Sequence, residues 1–309
     1  MPASAGPEPR LDSVEIRVTF SGADAAAATL ALAPDHGGAR RHVYFCEALS
    51  RSPYGLLPYG GVPDGRVPNG RVPSEGEASA SSPYTGETLA RSRATPGQLP
   101  LLDAGVTLRL RAWSGRGVGG DVTAELRPCR RSRLSERWLD FRAQGPDSFR
   151  LAADWTGERR ALAASFASDC GRTAVEAVTS GSKPLATAFS DRQRAFLAEC
   201  ADAPVGFGDL DILGPVHTVD WTGVRLDHHE VTLEYWTLPG DEADTPLEWF
   251  EVSERVAPEG AEVVQASLMA LLQGHGLEPD LSQGTRTRRV LETLAARETA
   301  RRYGGGRAR

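Results

Sequence analysis

Along this chain, charged and apolar side chains repeatedly alternate at a spacing of two. Glu15-Ile16-Arg17-Val18-Thr19-Phe20 is the first such stretch. Leu108-Arg109-Leu110-Arg111, Glu125-Leu126-Arg127, Glu230-Val231-Thr232-Leu233-Glu234 and Glu251-Val252-Ser253-Glu254-Arg255-Val256 follow. A β-strand sends successive side chains to opposite faces, so each stretch makes a ribbon with one apolar and one charged face. Two arrangements satisfy such ribbons. An open sheet turns its charged face to solvent, whereas a closed barrel turns it inward and encloses a charged tunnel.

The rest of the pattern places those ribbons in one domain. Strands are expected from Ser13, over His42–Glu47, on both sides of a glycine-rich turn between Leu101 and Leu126, and on both sides of Thr156-Gly157-Glu158-Arg159. Further strands are expected at His217–Trp221, Glu230–Leu238 and Leu247–Val256, the last two joined by a Pro239-Gly240-Asp241 turn. A small-residue helix is expected over Ala25–Ala33. Ser190 and Gln193 form a capping-box signature at the head of another helix, and Ala261–Gln273 ends at Gly274, the residue that favours a helix C-cap. A final helix is expected over about Thr285–Ala300. This is an α+β pattern on an antiparallel meander. Residues 1–11 read as a disordered leader and 301–309 as a flexible basic tail. Between Tyr54 and Pro100 the chain is crowded with Gly, Pro and Ser and repeats Gly65-Arg66-Val67-Pro68 as Gly70-Arg71-Val72-Pro73. Such composition buries too little surface to offset chain entropy, so a disordered insertion is expected at about 58–100.

A net charge of −6 over 309 residues argues against a general nucleic-acid or anionic-membrane binder. No apolar run approaches the ~18 residues of a membrane helix, and Met1–Pro7 lacks the basic and apolar segments of a signal peptide, so a cytoplasmic location is expected. Cys46, Cys129, Cys170 and Cys200 are too far apart for a zinc motif and read as free thiols. Lys183 is the only lysine; the other cations are arginines. Ser180-Gly181-Ser182-Lys183 reads as a polar loop, because Pro184 follows at once. Asp227-His228-His229-Glu230 reads as a hairpin end, since adjacent strand residues face opposite ways.

The order of the stretches carries more than any one of them. A strand opening on a glutamate is followed by Tyr44-Phe45, by Leu108-Arg109-Leu110-Arg111, and by Val122-Thr123-Ala124-Glu125-Leu126-Arg127-Pro128. Then come Leu213-Gly214-Pro215-Val216, Glu234-Tyr235-Trp236-Thr237-Leu238-Pro239 and an acidic last strand. This order resembles the CYTH superfamily, the triphosphate tunnel proteins that include thiamine triphosphatase and the class IV adenylate cyclases. It runs from about Ser13 to Leu294 with the insertion left out.

The resemblance implies a single domain over 12–300: a closed antiparallel barrel of about eight strands with a charged lumen and helices packed outside. It implies a phosphorylated small molecule held by Arg17, Arg109, Arg111, Arg127 and Arg255. It also implies Mg²⁺ or Mn²⁺ on Glu15, Glu234 and Glu251, with an ordered water as the attacking group. The expected activity is that of a divalent-metal-dependent phosphohydrolase; the alternative is the same barrel as a non-catalytic binder with the metal site lost.

The chain departs from the family pattern in charge. The family opens on Glu-x-Glu-x-Lys, whereas here Glu15-x-Arg17-x-Thr19 stands. Glu125 occupies a place that is often basic, and neither 216–221 nor 166–170 contains an arginine or lysine. A charge pair ~4 Å apart is worth about 4 kcal/mol at an effective dielectric of ~20, so each exchange of cation for carboxylate works against a highly charged anion. Glu15 with Arg17, and Glu125 with Arg127, are placed to neutralise one another across the lumen, which suits a less anionic or zwitterionic ligand.

Overall fold

The computed structural model describes residues 10–34, 37–49, 98–114, 119–240, 246–279 and 286–304. Its strands are β1 (Ser13–Ser21), β2 (Ala39–Glu47), β3 (Val106–Trp113), β4 (Gly119–Leu126), β5 (Ala143–Gln144), β6 (Asp147–Thr156), β7 (Arg159–Gly171), β8 (Asp211–Leu226), β9 (His229–Leu238) and β10 (Leu247–Val256). The helices are α1 (Ala23–Leu32), α2 (Pro100–Asp103), α3 (Glu136–Asp140), α4 (Arg172–Thr179), α5 (Asp191–Cys200), α6 (Ala261–Gly274) and α7 (Arg286–Gly304). No helix among the described residues is long and apolar enough to cross a membrane.

The strands pair in the order β1-β10-β9-β8-β2-β3-β4-β7-β6, and β6 returns to β1, so nine strands close into a barrel. Every contact is antiparallel except this last, where Glu15 lies opposite Asp154 in a parallel register. The expected antiparallel barrel of about eight strands is thus present, with nine strands and a single parallel contact. An odd ring cannot alternate direction all the way round, so nine strands oblige one parallel contact. Tight hairpins help fix the register. Thr156 pairs with Arg159, and Leu226 with His229. The first loop residue of each, Gly157 and Asp227, has a positive φ of 57° and 51°, a conformation that glycine and aspartate tolerate.

The alternation seen in sequence sorts inside from outside, but the barrel is turned the other way from a soluble sheet. Leu108, Leu110, Val122, Ala124 and Phe166 face outward and pack beneath α3, α4 and α5 with Trp138, Val175 and Phe196. Val14, Ile16, Val18, Leu233 and Val252 face outward beneath α1 and α6, against Ala25, Ala28, Leu268 and Leu272. A third apolar cluster lies on the inner face. Phe45, Trp236, Leu238 and Trp249 alternate with outward residues of their strands and are covered by Val290, Leu291, Leu294 and Ala295 of α7. That helix therefore fills one end of the barrel.

The capping box at α5 forms as expected, with Ser190 Oγ accepting from the Gln193 N–H at 3.2 Å and Gln193 Oε1 accepting from the Ser190 N–H at 3.0 Å. The Gln193 amide then donates to the carbonyls of Val122 and Phe166 at 2.8 and 2.9 Å, tying α5 to β4 and β7. Residues 1–9 of the expected leader, 58–97 of the expected insertion and 305–309 of the expected tail lie outside the described residues. At the described margins, Arg10 donates to the carbonyls of Phe141 and Trp138 at 2.9 and 3.2 Å. Leu99 is fully buried. The Glu47 carboxylate ties two described stretches together, accepting from the N–H groups of Ala48, Leu101 and Leu102 at 2.9, 2.7 and 3.1 Å.

Candidate functional site

The inner faces of the strands enclose a cavity of about 720 Å³, within the ordinary range for a small-molecule pocket. All eight residues that the sequence assigned to ligand or metal (Glu15, Arg17, Arg109, Arg111, Arg127, Glu234, Glu251 and Arg255) line it together. The charged ribbons look inward. Small inward side chains, Ala163, Ser165 and Ala167 of β7, Thr123 of β4 and Thr107 of β3, leave space among the charges.

Among the described residues the lining holds eight arginines and eight carboxylates. Most are locked to one another. Arg17 reaches Asp154 at 2.9 Å, Glu15 at 3.1 Å and Glu251 at 3.5 Å. Arg127 reaches Asp154 at 2.6 Å and Glu125 at 3.5 Å. Arg41 pairs with Asp220 at 2.8 Å, and Arg255 approaches Glu15 at 3.7 Å. Arg111 is engaged from behind by buried Asp121, both of whose oxygens lie 2.9 Å from its Nε. The neutralisation read from Glu15/Arg17 and Glu125/Arg127 is present, with Asp154 joining the two pairs. Arg17 carries this network: although burial alone would lower its pKa, Glu15, Asp154 and Glu251 raise it well above the usual guanidinium value.

Two lining arginines, Arg109 and Arg150, have no ion pair among the described residues. Arg150 is exposed at the rim. Arg109 sits inside, its Nε buried without a hydrogen-bond partner. Burial, and then the neighbouring Arg111, bring its pKa down to about 10. A guanidinium held so uncomfortably is a cation waiting for an anion.

Carboxylates cluster on the opposite side of the ring. Asp220 lies across from Glu234, and Glu234 across from Glu251, in one row over β8, β9 and β10. Burial and then Glu234 push Asp220 up to about 6, against the pull of Arg41. Burial likewise raises Glu251 in spite of Arg286 and Arg17. Glu234 goes the other way. Burial alone would raise it, but Arg286, Arg109, Arg17 and Arg111 bring it down to about 2. Arg17 holds Glu15 below the usual carboxylate value.

The carboxylates assigned to Mg²⁺ or Mn²⁺ do not present a divalent-cation site. Such an ion needs oxygen ligands turned toward one point. Here Glu15 faces Arg17 and Arg255, while Glu234 and Glu251 both face Arg286 at 2.8 and 3.1 Å. No group of three or more His, Cys, Asp or Glu side chains among the described residues is placed to hold a metal ion. The Asp227–Glu230 stretch is a hairpin end, as read, with His229 Nδ1 turned to Glu254 at 2.7 Å.

Sequence reasoning missed Arg41, Asp154, Asp220 and Arg286. Arg41 lies one residue before the strand boundary expected at His42. Asp154 shares its face with Arg150 and Ala152, a spacing-of-two signal that the alanine weakens. Asp220 stands where a cation was sought, and Arg286 comes from a helix, where no strand pattern could announce it.

The architecture is the one the CYTH resemblance implies, a closed barrel with a charged lumen and helices outside. No family model and no curated protein matches the sequence. Among solved structures, the chain is similar to HpAC1 from Hippeastrum, a proposed adenylyl cyclase described as having a dominant triphosphatase activity. The TM-score is 0.46 and the identity 12%, with 89% of this chain and 93% of that chain covered.

Proposed function

We propose that this chain is a divergent CYTH-type barrel that binds a phosphorylated small molecule of low charge, in the cytoplasm, with neither nucleic acid nor a membrane surface as partner. The observation that carries this reading is Arg109: a lumen-facing guanidinium with no carboxylate at ion-pair distance among the described residues, in a cavity whose other interior arginines are paired. A triphosphate with about four negative charges would meet fixed charges that nearly cancel, and its attraction would be offset by the acidic row. A single phosphate, or a zwitterion bearing one, needs only one spare cation and polar neighbours such as Thr107, Thr123 and Ser165. The four free cysteines, three of them buried, agree with a reducing compartment. Calorimetric titration with a phosphate monoester, pyrophosphate and triphosphate tests the reading. The monoester binds, and Arg109→Ala weakens it roughly tenfold or more, as loss of a charge-assisted hydrogen bond requires. Binding that survives Arg109→Ala, or that rises steadily with phosphate number, sinks it.

A second reading, a metal-dependent phosphohydrolase, draws support from Asp220 and Glu234. Neighbouring carboxylates whose pKa values are pushed apart, to about 6 and about 2, suit acid–base work near neutral pH. Phosphate release from inorganic triphosphate, thiamine triphosphate or ATP with Mg²⁺ or Mn²⁺, lost in Asp220→Asn and Glu15→Ala, would establish it over the first.

A further inference from the structure

We infer that Arg286 is a built-in substitute for the divalent cation: its guanidinium occupies the place between Glu234 and Glu251 that a metal would hold, and so excludes metal from the lumen. The side chain enters from the first residue of α7 and is only 4% exposed. Its Nη2 bridges the two carboxylates, 2.8 Å from Glu234 and 3.1 Å from Glu251. The guanidinium carbon lies 4.0 Å from the centre of the Trp236 ring, and the Trp236 indole N–H donates to the same Glu234 at 3.1 Å. A planar cation is thus stacked, bridged and fixed in orientation.

The charge count fits. Two adjacent carboxylates need two positive charges, which a divalent ion supplies at one point. Here Arg286 supplies one and Arg17, 3.5 Å from Glu251, the other. Nε and Nη1 of Arg286 are buried without hydrogen-bond partners, so three of its five N–H groups are unmet, a cost that the two carboxylates alone offset.

The test uses the metal alone, so it stands or falls separately from the identity of the ligand. Mn²⁺ is titrated into the full chain and followed by electron paramagnetic resonance, with circular dichroism reporting the fold. The wild type is expected to bind no stoichiometric Mn²⁺, and Arg286→Met to bind it roughly tenfold or more tightly, the effect of removing one adjacent positive charge. Adding Glu234→Gln to Arg286→Met is expected to remove that gain. Stoichiometric Mn²⁺ binding by the wild type, lost in Glu251→Gln, overturns the inference, as does an Arg286→Met protein that folds yet takes up no more metal than the wild type. Should Arg286→Met unfold, Arg286→Gln carries the same expectations, and the wild-type titration retains its power to overturn.

Discussion

The lumen has two walls of the same construction and opposite temper. On β8, β9, β10 and β1, inward positions hold Asp220, Glu234, Glu251 and Glu15, each gripped by an arginine from another element or a neighbouring position. On β3, β4 and β7, inward positions hold Arg109, Arg111, Asp121, Glu125, two threonines and a row of alanine and serine. The first wall has its carboxylates engaged. The second has small side chains and a cation to spare. Paired charge serves the fold, and unpaired charge with space beside it serves a ligand.

The sharpest way to break this contrast is at the network that joins the walls. Asp154, 6% exposed, is shared by Arg17 and Arg127. Asp154→Ala removes the shared partner of two half-buried guanidinium groups, leaving each with its longer carboxylate contacts, and is expected to cost about 3 kcal/mol in urea unfolding. A cost below about 1 kcal/mol would mean the network is ornamental.

Next is pH. The Asp220 carboxyl is raised from 3.8 to about 6, so the folded state binds the proton more tightly than the unfolded one. Its contribution makes stability fall as pH rises between those values, by about 1.4 kcal/mol for each pH unit crossed. Glu234 is lowered from 4.5 to about 2, so its stabilisation is complete above 4.5 and fades as pH falls toward 2. Unfolding midpoints measured across this range are expected to lose the upper slope in Asp220→Asn and the lower one in Glu234→Gln. A profile unmoved by either substitution would remove the electrostatic account of the acidic wall.

A smaller effect isolates the other wall. Ser190→Ala removes the cap of α5, whose Gln193 holds the carbonyls of β4 and β7, and is expected to cost about 1 kcal/mol. It should leave the pH profile intact. The smallest expected change is the most diagnostic. Arg109→Ala should cost no more than about 0.5 kcal/mol, because relief of an unpaired buried cation offsets lost packing, while ligand affinity falls. Thermal melting beside calorimetry reads both. A large loss of stability would make Arg109 a structural residue.

Much of this was legible from period-two alternation alone. Leu108 and Leu110 against Arg109 and Arg111, or Ile16 and Val18 against Glu15 and Arg17, fix which residues share a face. They do not fix which face is wet; only the order of the stretches argued for an inward charge. The capping box at Ser190 and the hairpin at Asp227 were legible because their chemistry is local. Arg286 was not, because its partners lie on strands 35 and 52 residues earlier in the chain and its own helix carries no mark of them. The parallel closing contact was not legible, because it depends on which edges meet, a property of the whole ring.

That closing contact has a consequence for how the molecule is made. β1 is the first strand of the chain, yet it lies between β6, reached more than a hundred residues later, and β10, more than two hundred residues later. During synthesis β1 must wait with two unpaired edges until both partners exist, and the ring shuts only when β10 arrives. Folding is thereby weighted toward late, long-range contacts, which are slow to form and leave sheet edges open to neighbouring chains. A permuted chain that begins at β6 and ends at β4, with the old termini joined, would make β10 and β1 in succession and should fold faster to the same barrel.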